Sequence, residues 1–251
     1  MNKEEQLLSK RFHDLANTAY RRGITTYSDF LSLNEISILH TIERELSFVT
    51  LSLNGGYSQA ERQIAAFVPD AFLPVTEDFP FSILKIVPAN AKFADKLNHR
   101  DFLGAILNLG IDRCKIGDIL VKEDCAFVFV HTSMEEFICR ELTRVKHTTV
   151  NIFPCKEAEE IAPNLQHIEG SISSERLDAV LALAFQTSRS SLSNLVAAEK
   201  VFINGRLCYS NSQPLKQGDV VSVRGYGKFI YQGFLSTTRK GRMFVSLDKY
   251  V

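Results

Sequence analysis

The run SERLDAVLALAFQTSRSSLSNLVAAEKVFING, residues 174–205, decides how the rest of the chain is read. Ser173 or Ser174 predicts an N-cap, and Leu177, Val180, Leu181 and Ala184 then fall at i, i+3, i+4 and i+7, the stripe of a helix with one buried face. Thr187-Ser188 predicts the start of a second, shorter helix whose Leu192, Leu195 and Val196 repeat that spacing. Val201 and Ile203 alternate as in a strand, and Asn204-Gly205 supplies the positive-φ pair of a tight hairpin turn. Two helices and a hairpin make a small platform.

Its polar positions are basic. From Ser174 onward eleven Lys and Arg stand against five Asp and Glu, and with 29 of each sign in the 251 residues, the remainder carries the opposite excess of six. A chain of zero net charge therefore conceals a basic domain, the electrostatic footprint of phosphate binding. Arg176 and Arg189 each begin a predicted helix, where backbone N–H groups favour phosphate and a guanidinium adds a bidentate partner. The alternative leaves Arg176 tied to Asp178 or Glu175.

Beyond the first hairpin, Lys216-Gln217-Gly218-Asp219 predicts a turn feeding a strand over 220–223. Arg224-Gly225-Tyr226-Gly227-Lys228-Phe229 reads as a flexible glycine loop carrying cations and aromatics, suited to pairing phosphates and stacking an unpaired base. It is not a dinucleotide fingerprint, since Ile230 occupies the place of the third glycine. Strands over 229–236 and 243–249 close a last hairpin whose tip carries Arg239, Lys240 and Arg242, either solvated or in contact with RNA.

Towards the N-terminus, residues 157–169 read as an acidic linker. Ahead of it come a strand (82–87), a helix (101–109), two strands (115–121 and 125–130), a helix (134–145) and a strand (149–153), the order βαββαβ of the split βαβ fold and of RNA-recognition motifs. Phe127 would stack a base if that sheet face is open; Phe127 and Phe129 would be core if the N-terminal helices cover it. Asn98-His99-Arg100-Asp101 is not a kinase catalytic loop, because Ile106 stands where Asn is needed; Asp101 reads as a helix-start residue and Arg100 as a solvated charge or an RNA contact. Residues 3–22 predict an amphipathic helix, 25–33 a connector, 34–46 a second helix and 48–53 a strand. Asn54-Gly55-Gly56 predicts a turn, or alternatively a phosphate-binding nest, and Ser58-Gln59-Ala60-Glu61 a capping box opening a third helix through Ile64 and Phe67. Pro69 and Pro74 with Asp70, Glu77 and Asp78 mark a domain boundary.

Cys114, Cys125, Cys139, Cys155 and Cys208 are odd in number and lack any CxxC spacing, which signals neither a disulfide framework nor a zinc site. No apolar run reaches the roughly 18 residues of a membrane span, and the start MNKEEQLLSKRF lacks the apolar region of a signal peptide. A cytoplasmic chain without a membrane partner is expected.

The C-terminal pattern resembles the S4 domain, an RNA-binding module, through Arg176-Leu177-Asp178, Ser188-Arg189, Leu195-Val196, Val201, Asn204-Gly205 and Gly218-Asp219 ahead of Val221 and Val223. One position departs: Glu199 stands where that family has Gly, at a left-handed helix end. The whole chain resembles the YlmH-type family of bacterial S4-domain proteins. That likeness is carried by Gly55-Gly56-Tyr57 with Ala60-Glu61-Arg62, by residues 99–105 with Gly110-Ile111, by Lys115-Ile116-Gly117-Asp118, and by Arg224-Gly225-Tyr226-Gly227 with Lys240-Gly241-Arg242. The resemblance implies an α+β chain with an N-terminal α-rich domain over 1–75, a ferredoxin- or RRM-like βαββαβ domain over 76–165 and an αL-type S4 domain over 171–251. It also implies rRNA or tRNA on the large ribosomal subunit as partner, in translation or rescue of stalled nascent chains. A monomer is expected, with no catalytic residue, metal or cofactor. The expected RNA contacts are Arg176, Ser188, Arg189, Lys200, Asn204, Arg206, Arg224, Tyr226, Lys228, Arg239, Lys240 and Arg242.

An RNA-modifying enzyme is the rival reading, because S4 domains accompany pseudouridine synthases and rRNA methyltransferases. The single Arg-Leu-Asp here, at 176–178, lies inside the platform helix, and residues 81–170 hold no Gly-rich methyltransferase loop. A cell-division adaptor is the third reading.

Overall fold

A computed structural model of the chain describes residues 3–69, 78–155, 163–239 and 241–251. The chain is mixed α/β with antiparallel sheets, and it divides into two compact units, Met1–Ala162 and Pro163–Val251. The expected boundary around Pro74 and the core of the expected linker, residues 156–162, lie outside the described residues.

The first unit opens with α1 (Lys3–Arg22), β1 (Thr26–Leu31) and α2 (Leu33–Ile42), followed by a 3-10 turn over Glu43–Leu46. Ser32 caps α2 in a reciprocal capping box with Glu35, which fixes where the helix starts. Then come β2 (Thr50–Asn54) and β3 (Gln63–Val68), and the sheet runs β1-β3-β2. Two expectations fail here. Residues 26–31 form a strand instead of a connector, and 63–68 form the central strand instead of a third helix, so the strand expected over 48–53 belongs to a three-stranded sheet. The physical reason is burial on both faces. Ala65 and Phe67 pack against Phe12, Ala16 and Leu39 of the helices, while Ile64, Ala66 and Val68 pack the other way, against Phe30, Phe127 and Phe129. A strand apolar on both sides shows no alternation.

The capping box expected at Ser58 does not form because its backbone is taken elsewhere. Asp118 accepts the Glu61 N–H at 2.7 Å, the Arg62 N–H at 3.2 Å and the Tyr57 hydroxyl at 2.7 Å. Arg62 in turn donates Nε to the Ile116 carbonyl at 2.8 Å and Nη2 to that of Phe30 at 2.8 Å. The Gly55-Gly56 turn is packed against an aromatic ring. A Cβ on Gly56 would stand 2.3 Å from Phe129 Cε1.

The rest of the unit runs β4 (Phe81–Pro88), α3 (His99–Leu107), β5 (Ile116–Val121), β6 (Ala126–His131), α4 (Glu135–Glu141), β7 (Arg144–Val145) and β8 (Thr148–Cys155). Its sheet order is β5-β6-β4-β8-β7, antiparallel throughout, with α3 and α4 on the face of Leu84, Ile86, Val128 and Val130. The second helix is shorter than 134–145, and Arg144 and Val145 pair with Thr149 and Thr148 instead. Phe127 and Phe129 are buried, and the elements that cover them are the strands β1 and β3, not the N-terminal helices. The first unit is thus layered helix, sheet, sheet, helix.

The second unit begins with β9 (Leu165–Ile172), α5 (Leu177–Phe185) and α6 (Arg189–Ala197). It continues through β10 (Val201–Ile203), β11 (Arg206–Leu207), β12 (Val220–Val223), β13 (Gly227–Thr237) and β14 (Met243–Tyr250). The six strands order as β11-β10-β12-β13-β14-β9, and one face packs on α5 and α6 through Leu181, Leu192, Val221, Phe229 and Leu247. Residues 165–169, read as linker, belong to a strand because the chain from Leu165 to Ile172 pairs in unbroken register with β14. The first platform helix starts at Leu177 with Arg176 as its N-cap. Ser173 and Ser174 do not cap it, since Arg176 is bridged to Pro214 and the Leu177 N–H donates to the Gln213 carbonyl at 3.0 Å. Among the described residues no helix is long and apolar enough to cross a membrane.

Phe129 is fully buried where two sheets meet. Phe129→Ala is expected to cost about 3–5 kcal/mol in urea unfolding of the full chain. A change below about 1 kcal/mol would show that this ring does not hold the unit together.

Candidate nucleic-acid interface

The second unit's helix pair and hairpins distribute the expected RNA-contacting residues over three places. Ser188 is the N-cap of α6, its Oγ accepting the Ser191 N–H at 3.3 Å, and Arg189 is the first helical residue. The chain reaches this point by reversing after Phe185, with Gln186 in the left-handed region at φ 50°. The start of α6 therefore lies at the end of α5, not beside its start. Nine residues at 1.5 Å each separate Arg176 from that junction by roughly 13 Å. The two arginines do not sit at equivalent neighbouring helix starts, and Arg176 Nε pairs with Asp178 at 3.2 Å. The reading that ties Arg176 to Asp178 is the one the geometry shows.

At the α5–α6 end the structure assembles a cluster that local sequence did not reveal. Val223 pairs with Gly227, so Arg224-Gly225-Tyr226 is a tight turn, not a flexible loop, with Gly225 at φ 88° and Gly227 at φ 112°. The Arg224 N–H donates to the Lys200 carbonyl at 2.9 Å, which brings the turn against the segment between α6 and β10. Tyr226 packs at 5.6 Å on Phe185, the last residue of α5. On the sheet face opposite the helices, Phe202 pairs across to Ser222, and Ser222 to Lys228. The Arg224 guanidinium lies 4.8 Å from the Phe202 ring centre and the Lys228 ammonium 4.1 Å from that of Tyr250. No local pattern marks Phe202 and Tyr250; only the register sets them beside cations. Lys249 adds a further cation, 5.3 Å over Phe185. Such cation–aromatic pairs hold the charges in place at about 0.5–1 kcal/mol each while leaving them accessible to phosphate.

The other expected residues have other duties. Asn204 at φ 49° clamps its hairpin to β12, donating Nδ2 to Asp219 at 2.8 Å and accepting the Val220 N–H at 2.9 Å. Its amide is consumed by the fold. Arg206 is exposed on β11, opposite Ile203. Arg242 donates Nη2 to the Ser171 carbonyl at 3.0 Å, bracing the far hairpin to β9, and Arg239 is exposed nearby; Lys240 lies outside the described residues. That tip is eleven residues of strand away from the Arg224 turn, roughly 30 Å or more.

Residues 74–159 match the family described as "Putative RNA-binding domain in YlmH", a span that contains β4 through β8. The chain is 29% identical over 235 residues to "Ribosome-associated protein quality control protein P2" of Bacillus subtilis (strain 168), across 92% of this chain and 88% of that protein. The chain is thus similar to YlmH-type proteins over most of its length. A solved structure, "Cell division protein ylmH from Streptococcus pneumoniae", superposes with a TM-score of 0.54 at 21% identity, over 64% of this chain and 97% of that one. At that identity the likeness is one of fold.

Two features of the second unit are open to direct test. Glu199 adopts φ 55° at the end of α6, a conformation that costs a residue with a Cβ about 1–2 kcal/mol. Glu199→Gly is expected to raise unfolding stability by up to about 1 kcal/mol, and a fall in Tm would contradict the strain. On the sheet edge formed by β9, His167 bonds to Asp248 at 2.6 Å and to Glu169 at 3.3 Å. These bonds, to Asp248 first and Glu169 second, raise its pKa above the ordinary 6.5. A raised folded-state value means that the stabilisation is present below 6.5 and fades as pH rises through the folded pKa. The His167 ring resonances should titrate above 6.5, and Asp248→Asn should bring the midpoint down. An unchanged midpoint would remove Asp248 as the cause.

Proposed function

We propose that this chain is a non-catalytic RNA-binding protein of the cytoplasm. Its second unit, an S4-type platform, holds structured rRNA or tRNA on the large ribosomal subunit, in translation or in the rescue of stalled nascent chains. The observation that carries this reading is the cluster at the α5–α6 end. Arg224 on Phe202, Lys228 on Tyr250 and Tyr226 on Phe185 combine phosphate-pairing cations with ring faces, in a unit that is net basic while the rest of the chain is net acidic. The printed descriptions support RNA binding for the chain as a whole: the family matched over residues 74–159, in the first unit, is described as a putative RNA-binding domain, and one relative is named a ribosome-associated quality-control protein.

The modifying-enzyme reading has little to build on. The two carboxylates best placed in the sequence for chemistry are paired, Asp101 with Lys146 at 2.9 Å and Asp178 with Arg176 at 3.2 Å. The first is held ionised below the ordinary carboxylate range, chiefly by the Lys146 hydrogen bond. Both act as braces.

Sucrose-gradient sedimentation of the full chain, with and without RNase, tests the ribosome assignment; migration away from the ribosomal fractions in both would point to the cell-division adaptor instead. Arg224→Ala plus Lys228→Ala should weaken binding to ribosomal RNA by about 2–4 kcal/mol, at about 1–2 for each charge-assisted hydrogen bond. Arg176→Ala and Arg239→Ala should each cost less than half of that. If Arg176→Ala proves the costlier change in a folded protein, the RNA lies at the opposite end of α5.

A further inference from the structure

We propose that the middle domain binds RNA a second time through its helical face, in the groove between α3 and the segment 141–146, where Arg100, Arg144 and Lys146 receive backbone phosphates. The inference rests on the reading of the chain as an RNA-binding protein. It starts from the other face of the domain, which is closed to bases. In a βαββαβ domain the open sheet face is the place for base stacking, but here Phe129 is fully buried and Phe127 is 9% exposed, both packed against β1 and β3. What remains of that face is a strip in which Lys85 pairs across to Phe127 and to Phe153, the latter 53% exposed. Its cation Lys85 already lies over Phe127 at 5.7 Å.

The opposite face is different. A groove of about 570 Å³ opens between α3 and 141–146, and its walls bring together Arg100 and Arg144, which lie far apart in sequence. Its two carboxylates are both paired, Asp101 to Lys146 at 2.9 Å and Glu141 to Arg140 at 2.7 Å. Among the lining residues three cations stand against two paired acids, and Arg100 makes no ion pair among the described residues. No aromatic ring lines the groove, so the chemistry it offers is to phosphate and not to bases. A duplex or folded RNA fits that better than an unpaired strand.

Two locally unfavourable residues converge on the same groove, which a merely solvated surface does not explain. Gly104 sits in the interior of α3, where it weakens the helix, yet a Cβ there would meet nothing within 4 Å. Packing does not require the glycine; close approach of another backbone would. Lys146 takes φ 53° in the two-residue turn between β7 and β8, a conformation natural to Gly or Asn, and despite that strain it places an ammonium at the groove wall. Sites where local preference is overridden without a packing reason are where function is expected.

The test uses the full-length protein, a fluorescein-labelled rRNA hairpin and anisotropy across a salt series. Arg100→Glu plus Arg144→Glu should weaken binding at least ten-fold and lower the log–log salt slope by about 0.9 for each phosphate no longer neutralised. Gly104→Glu should do the same with an unchanged or higher Tm, which separates the groove from the fold. Lys85→Ala plus Phe153→Ala should leave affinity within two-fold. If the groove variants stay within two-fold while Arg224→Ala plus Lys228→Ala abolishes binding, the groove is overturned and the proposed function stands. Weakening confined to the Lys85/Phe153 variant moves the RNA to the sheet strip and overturns the groove. Failure of the parent chain to bind any rRNA overturns the groove together with the reading beneath it, whereas crosslinking of groove peptides to ribosomal protein alone overturns the groove only.

Discussion

The burial of Phe129 is the interaction on which the first unit closes. The ring stands on the face of β6 that α3 and α4 do not reach, so a second layer has to cover it, and β1 and β3 supply that layer. Two glycines make room. A Cβ on Gly117 would stand 2.7 Å from Phe30 Cε1 and 2.9 Å from Phe129 Cβ, and one on Gly56 would enter the Phe129 ring. Asp118, next to Gly117, then ties down the turn that presents Gly56 by accepting from Tyr57, Glu61 and Arg62. Arg113, engaged with the same backbone through the Ile116 and Gly117 carbonyls, has its pKa pushed down to about 10, first by burial and then by Arg62.

That closure has a functional consequence. A sheet face used to join two layers cannot also stack bases, so a βαββαβ domain built this way must bind nucleic acid through its edges, its helices or not at all. The recognition surface bears the cost of the closure. The other unit carries a basic excess of five, eleven Lys and Arg against six Asp and Glu over Pro163–Val251.

In the second unit, order comes from a platform whose cations are held by rings. Arg224 and Lys228 are neither buried nor loose; the guanidinium and the ammonium lie over the Phe202 and Tyr250 rings. Tyr231 anchors the opposite end, its hydroxyl donating to Glu175 at 2.7 Å, and burial followed by that bond keeps the phenol protonated far above its usual range. Glu199 is the exception, a charged residue accepting left-handed backbone strain beside Lys200. Nothing in the fold explains why Gly is absent there.

Local chemistry was enough to read α1 from its amphipathic stripe, the Ser188 start of α6, the Asn204-Gly205 hairpin and the βαββαβ order of the middle domain, because caps, turns and periodicity act over four or five residues. The charge split was legible too, since counting needs no structure. Tertiary structure decided everything that depends on what lies on the second side of an element. The strand β3 carries no alternation because both its faces are buried, and β9 looked like a linker because its partner β14 is some eighty residues away. Arg176 and Arg189 looked alike as helix starts, but a chain reversal puts them at opposite ends of α5 and turns Arg176 toward Asp178. Phe202 and Arg224, or Arg100 and Arg144, become neighbours only through strand register and helix packing. Those distances are set by the burial of side chains far apart in sequence, and no local pattern encodes them.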